Sequence, residues 1–159
     1  MVKSKDYIST EKQMTISFFK SRCLVCWKDF RVPLLPDSSY GENLYYDKKT
    51  KKFYYFNWFD NKEIENCVTE FLSKNQKFKS LNNKTKGNTA LQIVGFIANG
   101  NKEYVVGYNR CPRCKLKFNF VSDTRTNTDS IEILNFTNFL NLDNSNQQQY
   151  IFDKIRNQL

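Results

Sequence analysis

Arg22-Cys23-Leu24-Val25-Cys26-Trp27-Lys28-Asp29-Phe30 and Arg110-Cys111-Pro112-Arg113-Cys114-Lys115-Leu116-Lys117-Phe118 spell one pattern twice, R-C-x-x-C-x-x-x-F. Two C-x-x-C pairs supply the four thiolates of a closed tetrahedral zinc site. In each copy a strand-like run leads into the pair, and an apolar residue follows four positions after the second Cys. The chain then turns tightly between two sulfurs while its flanking strands diverge, which is how a metal knuckle is built. The pattern predicts one structural Zn(II) per chain, held by Cys23, Cys26, Cys111 and Cys114, and hence a long-range contact between Cys23 and Cys114.

Between the two pairs lie 84 residues, 27 through 110, against about 12–20 in the usual four-cysteine pattern. The entropic cost of closing a loop grows only logarithmically with its length, so the separation is tolerable. An insert of that size must itself be folded. Two independent dithiols, redox-active or idle, are the alternative. A thioredoxin-like arrangement wants C-x-x-C at a strand-to-helix junction, whereas Lys115 to Val121 alternates like a strand. A disulfide framework fits less well, because the cysteine count is five and the N-terminal Met1-Val2-Lys3-Ser4-Lys5-Asp6 lacks the apolar core of a secretory signal. Free thiols without such a signal lead us to expect a reducing, intracellular compartment.

The fifth thiol, Cys67, shares a helical stripe with Ile64, Val68, Phe71 and Leu72. Asp60 or Asn61 would cap that helix, with Glu63 and Glu65 well placed in its first turn. This makes Cys67 a core residue rather than a ligand or nucleophile.

A length of 159 residues suits one domain whose core can form without metal. We expect a single zinc-stapled domain over 1–159, with knuckle strands at about 14–32 and 92–121, an insert at 33–91 and a C-terminal segment at 122–159. No run approaches 18 continuous apolar residues, so no membrane span is expected. The chain contains no histidine. That removes the commonest general base, every histidine-activated nucleophile and any histidine-ligated catalytic metal. The carboxylates are scattered and the five glycines isolated, so no phosphate loop exists. A non-enzymatic protein without a small-molecule substrate is the expectation.

The formal charge of +9 is uneven: residues 1–122 carry 22 Lys+Arg against 11 Asp+Glu, and residues 123–159 carry 3 against 5. One basic group is Lys48, Lys49, Lys51 and Lys52; another runs from Lys74 through Lys77, Lys79 and Lys84 to Lys86. A third flanks the knuckles: Lys20, Arg22, Lys28 and Arg31, then Arg110, Arg113, Lys115 and Lys117. If both knuckles meet at one ion, this group converges on one face, the footprint expected for phosphate backbones. Nineteen Lys and nineteen Asn also fit an A/T-rich genome and a plainly solvated surface. Arginine carries more weight because it binds phosphate bidentately, and four of the six (Arg22, Arg31, Arg110 and Arg113) lie in or beside the knuckles.

Met14 to Arg22 reads as a strand entering the first knuckle, and Trp27 to Val32 as one leaving it. Pro33, Pro36 and Asp37-Ser38-Ser39 suggest a loop. Leu44-Tyr45-Tyr46 and Phe53-Tyr54-Tyr55-Phe56 predict two strands joined by a lysine-rich tip. A helix over about 60–73 follows, then an aperiodic polar segment from Lys74 to Asn88. Gln92–Ala98 and Asn101–Tyr108 flank Asn99-Gly100, a strong hairpin signal. Ser122–Asp129 reads as a polar connection, Ile131–Leu142 as helix or strand, and Gln147–Gln158 as a short helix. The fold class expected is α+β, a strand-dominated antiparallel sheet around the zinc. Phe53 to Phe59 beside the lysine tip could be a base-stacking platform, but a continuous aromatic run is more often core.

The paired knuckles resemble those of zinc-ribbon and rubredoxin-type domains, over about residues 15–32 and 104–121. The resemblance implies metal ligation by the four thiolates and service in nucleic-acid machinery. This chain departs from that pattern in its long insert and in having no Gly after the second Cys of either knuckle. The expected partner is nucleic acid, RNA in a larger assembly being the plausible form. The alternatives are a protein-interaction or assembly subunit with a purely structural zinc, and a C-x-x-C thiol-disulfide protein using Cys111 and Cys114.

Overall fold

The computed structural model describes residues 13–35, 41–47, 49–100, 103–104, 111, 113–114 and 121–156. In chain order these form strands β1 (Gln13–Arg22), β2 (Asp29–Leu34), β3 (Glu42–Asp47) and β4 (Lys52–Asn57), then helices α1 (Lys62–Lys74), α2 (Gln76–Lys79) and α3 (Asn83–Ile97). The short β5 (Glu103–Tyr104), the long β6 (Val121–Ile133), α4 (Thr137–Leu140) and α5 (Asn144–Arg156) complete them. The sheet order is β2-β1-β6-β4-β3-β5. Neighbours are antiparallel except β4 and β6, which run parallel at Tyr54↔Glu132 and Tyr55↔Ile133. Helix and strand are thus mixed, and the sheet is not wholly antiparallel.

Strand alternation sorts the aromatic run onto two faces. Tyr45, Tyr54 and Phe56 enter the larger core with Ile64, Cys67, Val68 and Phe71 of α1 and Ile93, Val94 and Ile97 of α3. Phe56 is fully buried and meets Tyr45, Trp58 and Phe136 edge to face, at centroid distances of 6.2, 4.9 and 5.6 Å. Tyr45 also ties sheet to helix, its hydroxyl donating to Leu91 O at 2.7 Å. Tyr55 points to the opposite face and joins Ile16, Phe18 and Ile131 in a smaller cluster. Tyr54, Tyr55 and Phe56 are therefore core, not platform. Large rings fill what a small sheet leaves open.

The helix expected near residue 60 is α1, and its apolar stripe is buried as the spacing requires. Asn61 occupies the N-cap position but makes no side-chain cap bond; its amide donates instead to Asn57 O at 2.7 Å. Asp60 belongs to a preceding 3-10 turn.

Several expectations are corrected. Gln92–Ala98 is not a strand, because α3 runs through to Ile97 and Asn99-Gly100 merely ends it. The β-branched residues there suggested a strand, yet Ala90, Ile93, Val94 and Ile97 share one face against α1 and α5, and tertiary burial overrides propensity. Lys74–Asn88 is not aperiodic either. It holds α2 and the start of α3, capped by Asn82, whose side chain accepts from Thr85 N–H at 2.9 Å. Ser122–Asp129 lies inside β6, paired with β1, rather than in a connection. Pro33 lies in β2 opposite Phe18, on an edge strand where its missing N–H breaks no ladder. The hairpin arms Lys115–Phe120 and most of Asn101–Tyr108 lie outside the described residues.

Candidate metal centre

β1 carries the chain to Cys23, and the Arg22↔Asp29 pair with β2 closes the hairpin behind the first knuckle. Just upstream, the register with β6 shifts between Phe19 and Ser21, a bulge of the kind that re-aims a strand end. The knuckle backbone is locked by two bonds. Cys23 N–H donates to Lys28 O at 3.0 Å, and Trp27 N–H to Cys23 O at 2.9 Å. In the second knuckle, Arg113 N–H points at Cys111 Sγ at 3.4 Å.

These two turns bring Cys23, Cys26, Cys111 and Cys114 together, with all four sulfurs within 4.8 Å of one another. Cys23 Sγ is 3.7 Å from Cys114 Sγ, and Cys26 Sγ is 3.5 Å from Cys111 Sγ. A sulfur tetrahedron with ligand distances of about 2.3 Å has edges of about 3.8 Å. A disulfide would need about 2.05 Å. These two separations are close to the edges of such a tetrahedron and too long for a disulfide, so the four sulfurs could hold a metal ion. The predicted Cys23–Cys114 contact is present, across 91 positions of sequence. Cys23 and Cys111 are fully buried and the other two partly so.

The knuckle backbone acts unequally on the thiols. The Cys26 N–H and neighbouring donors pull the Cys23 thiol down to about 6. Cys111 is also lowered, against the burial that opposes it, by the N–H groups of Cys114 and Arg113. Cys26 moves the other way: the Lys28 N–H favours its thiolate, but burial and the facing sulfurs of Cys111 and Cys23 outweigh it. Four thiolates this close repel one another, and a divalent ion between them removes the conflict.

Cys67 is elsewhere, buried in the helix-face core. Burial, then the charge of Glu70, pushes its thiol up, while Gln148 Nε2 approaches the sulfur at 3.4 Å. It behaves as a small apolar side chain.

The cations divide into two places. Beside the thiols, Arg22 forms a two-pronged pair with Asp29, at 2.6 and 3.1 Å. That bond, then the charges of Arg22, Lys20 and Lys28, holds the Asp29 carboxyl below its usual range, so these four groups sit together. Arg113 is exposed on the second knuckle. Arg31, opposite Lys20 in the β1–β2 pair, packs over the Phe18 ring at 4.6 Å and pairs with Asp129 at 3.0 Å. With Lys51, Lys52, Tyr46 and Phe53 it also lines a cleft of about 490 Å³. The tip itself is held by Asp47, which accepts from Lys49 N–H at 3.0 Å and Thr50 Oγ1 at 2.9 Å. Lys52 stands 3.9 Å from Glu132. Arg110, Lys115, Lys117 and Lys48 lie outside the described residues.

Sequence reasoning missed the two acids of β6 that meet the cations of β2 and β4. Strand pairing would have revealed them only once 122–129 was read as strand. It also missed the exposure of Leu24, Val25 and Trp27, which hydrophobicity alone cannot foretell. Comparison with protein-family models, curated proteins and solved structures finds no match to this chain. Among the described residues, no helix is long and apolar enough to cross a membrane.

Proposed function

We propose that this chain is a non-enzymatic zinc protein whose basic knuckle face contacts nucleic acid, plausibly RNA within a larger assembly. One Zn(II) per chain is held by Cys23, Cys26, Cys111 and Cys114 and joins two segments far apart in sequence. The observation that carries the reading is the cluster of four sulfurs within 4.8 Å of one another, two of its separations close to a tetrahedral edge. An all-thiolate, four-coordinate set leaves no open position, which is the property of a structural zinc rather than a catalytic one. With no histidine in the chain, the ion's contribution is to fix the knuckles, and the surface beside them does the binding.

That surface offers Lys20, Arg22, Lys28 and Arg113 around the buried sulfurs. Ion pairs this exposed contribute little to stability. A phosphate can therefore displace Asp29 from Arg22 and keep the same two-pronged geometry. A second reading, a protein-assembly subunit with a structural zinc, is favoured by one observation: Arg22 and Arg31 both already have carboxylate partners.

Titrating the purified protein with generic RNA and single-stranded DNA at several salt concentrations separates the two. Binding that survives near-physiological ionic strength, with a salt slope that drops by roughly one for each arginine removed in Arg110→Gln and Arg113→Gln, supports the nucleic-acid reading. Complete release by wild type at that salt leaves the assembly-subunit reading.

A further inference from the structure

Trp27 directly follows the second cysteine of the first pair, and its backbone is left-handed, with φ at 59°. A bulky L-residue is disfavoured there, whereas Gly adopts the conformation freely. Strain of this kind is kept where it serves a site. Packing does not explain it, since the Trp27 side chain is 67% exposed. The other tryptophan, Trp58, shows the contrast by stacking edge-on against Phe56 in the core. Beside Trp27 on the same turn, Leu24 and Val25 are 51% and 60% exposed. The turn is rigid underneath, because the Trp27 N–H is bonded to Cys23 O and the flanking cysteines belong to the sulfur cluster.

A solvent-facing indole on a bonded turn thus has basic residues close to it along the chain. Lys28 follows it directly, and Lys20 and Arg22 stand near Asp29. Arg113 is bonded through its N–H to Cys111, whose sulfur lies 3.5 Å from that of Cys26. An exposed aromatic on a turn that also carries Lys28 and adjoins the Arg113 turn matches a polymer that alternates anionic phosphates with flat bases. Bases are accessible to such a face only when unpaired.

We propose that Trp27 stacks on an unpaired base of single-stranded nucleic acid, with Lys28 and Arg113 on the adjoining phosphates. This rests on the nucleic-acid reading above and narrows it to single strands engaged at the first knuckle.

The test uses full-length, zinc-loaded protein, a 12-nucleotide oligo(U) and an RNA duplex, at near-physiological ionic strength. Trp27→Gly should keep its zinc and melt no lower than wild type, because the substitution relieves the backbone. Its affinity for oligo(U) should fall roughly tenfold, the worth of one stacked base, while duplex binding stays unchanged. Trp27→Asn, a residue that also tolerates the left-handed region, should behave alike. In a Trp58→Phe background, oligo(U) should quench the remaining tryptophan fluorescence. If Trp27→Gly and Trp27→Asn bind oligo(U) as wild type does while Arg113→Gln weakens it, the stacking role is wrong and the nucleic-acid reading stands. If wild type holds no nucleic acid, both fall. Trp27-dependent binding to phosphatidylserine vesicles but not to oligo(U) would assign the tip to a lipid surface and overturn the proposal.

Discussion

The two ends of the sheet are held together by different means. At the β3–β4 end, Tyr45, Tyr54 and Phe56 press against α1 and α3, and the interface is apolar and closed. At the β1–β2 end, the strands leave Leu24, Val25 and Trp27 in solvent and converge on four sulfurs. One end is stabilised by removing hydrocarbon from water, which requires no ligand. The other joins a smaller apolar cluster, Ile16, Phe18, Tyr55 and Ile131, to the four thiols, and the cohesion of its knuckle depends on what those thiols bind. A chain of this size can form a core without metal, so the thiol end is free to display side chains that a core would have buried.

The comparison breaks most severely at Phe56. Shortening it in Phe56→Ala empties space among Tyr45, Trp58 and Phe136, and should cost about 3–5 kcal/mol. Urea unfolding followed by far-UV circular dichroism would measure it. A loss under 1 kcal/mol would mean that the helix-face core does not carry the fold.

The next effect is local. Cys23→Ser with Cys111→Ser should abolish zinc binding and cost about 2–5 kcal/mol, the scale of a lost long-range cross-link. Hydrogen exchange should then speed up in β1 and β2 while α1 and α3 keep their protection. Full zinc content in the double variant, read by atomic absorption, would refute the shared site. Equal loss of protection at both ends would show that the two are one cooperative unit rather than two regimes.

How much of this was legible in sequence follows the same division. The thiol site was readable because metal ligation imposes residue type and spacing directly: C-x-x-C fixes a turn, and two such turns fix a contact. α1 was readable because Ile64, Cys67, Val68 and Phe71 repeat with a helical period. The β3–β4 hairpin was readable from its aromatic arms and lysine tip. α3 was not, since its Ile93-Val94 pair favours strand locally and only packing against α1 makes the helical face pay. Nor was β6, where Ser122 to Asp129 is polar throughout and gains its strand character from pairing with β1. Arg22 directly precedes Cys23 and Arg113 directly precedes Cys114, and Arg31, opposite Lys20 in the β1–β2 pair, lines the cleft with Lys51 and Lys52.

The smallest effect concerns the thiol that belongs to the apolar end. Cys67→Ser should leave one zinc per chain in place, because Cys67 is no part of the sulfur cluster. The hydroxyl can still receive the Gln148 amide that now approaches the sulfur, so the cost should be about 1 kcal/mol, a buried polar atom partly satisfied. Alkaline pH offers a sharper signature. Burial raises the Cys67 thiol above its ordinary value, so the folded state holds this proton more tightly than the unfolded chain does. The stability it contributes is complete below the unfolded thiol value, about 8.5, and is lost as pH rises through the folded one. Wild type should therefore lose stability faster than Cys67→Ser above about pH 8.5, and the gap between their urea midpoints should narrow. A gap that stays constant to pH 10 would show that Cys67 is as solvated as a free thiol, and that the closed end is less closed than its burial implies.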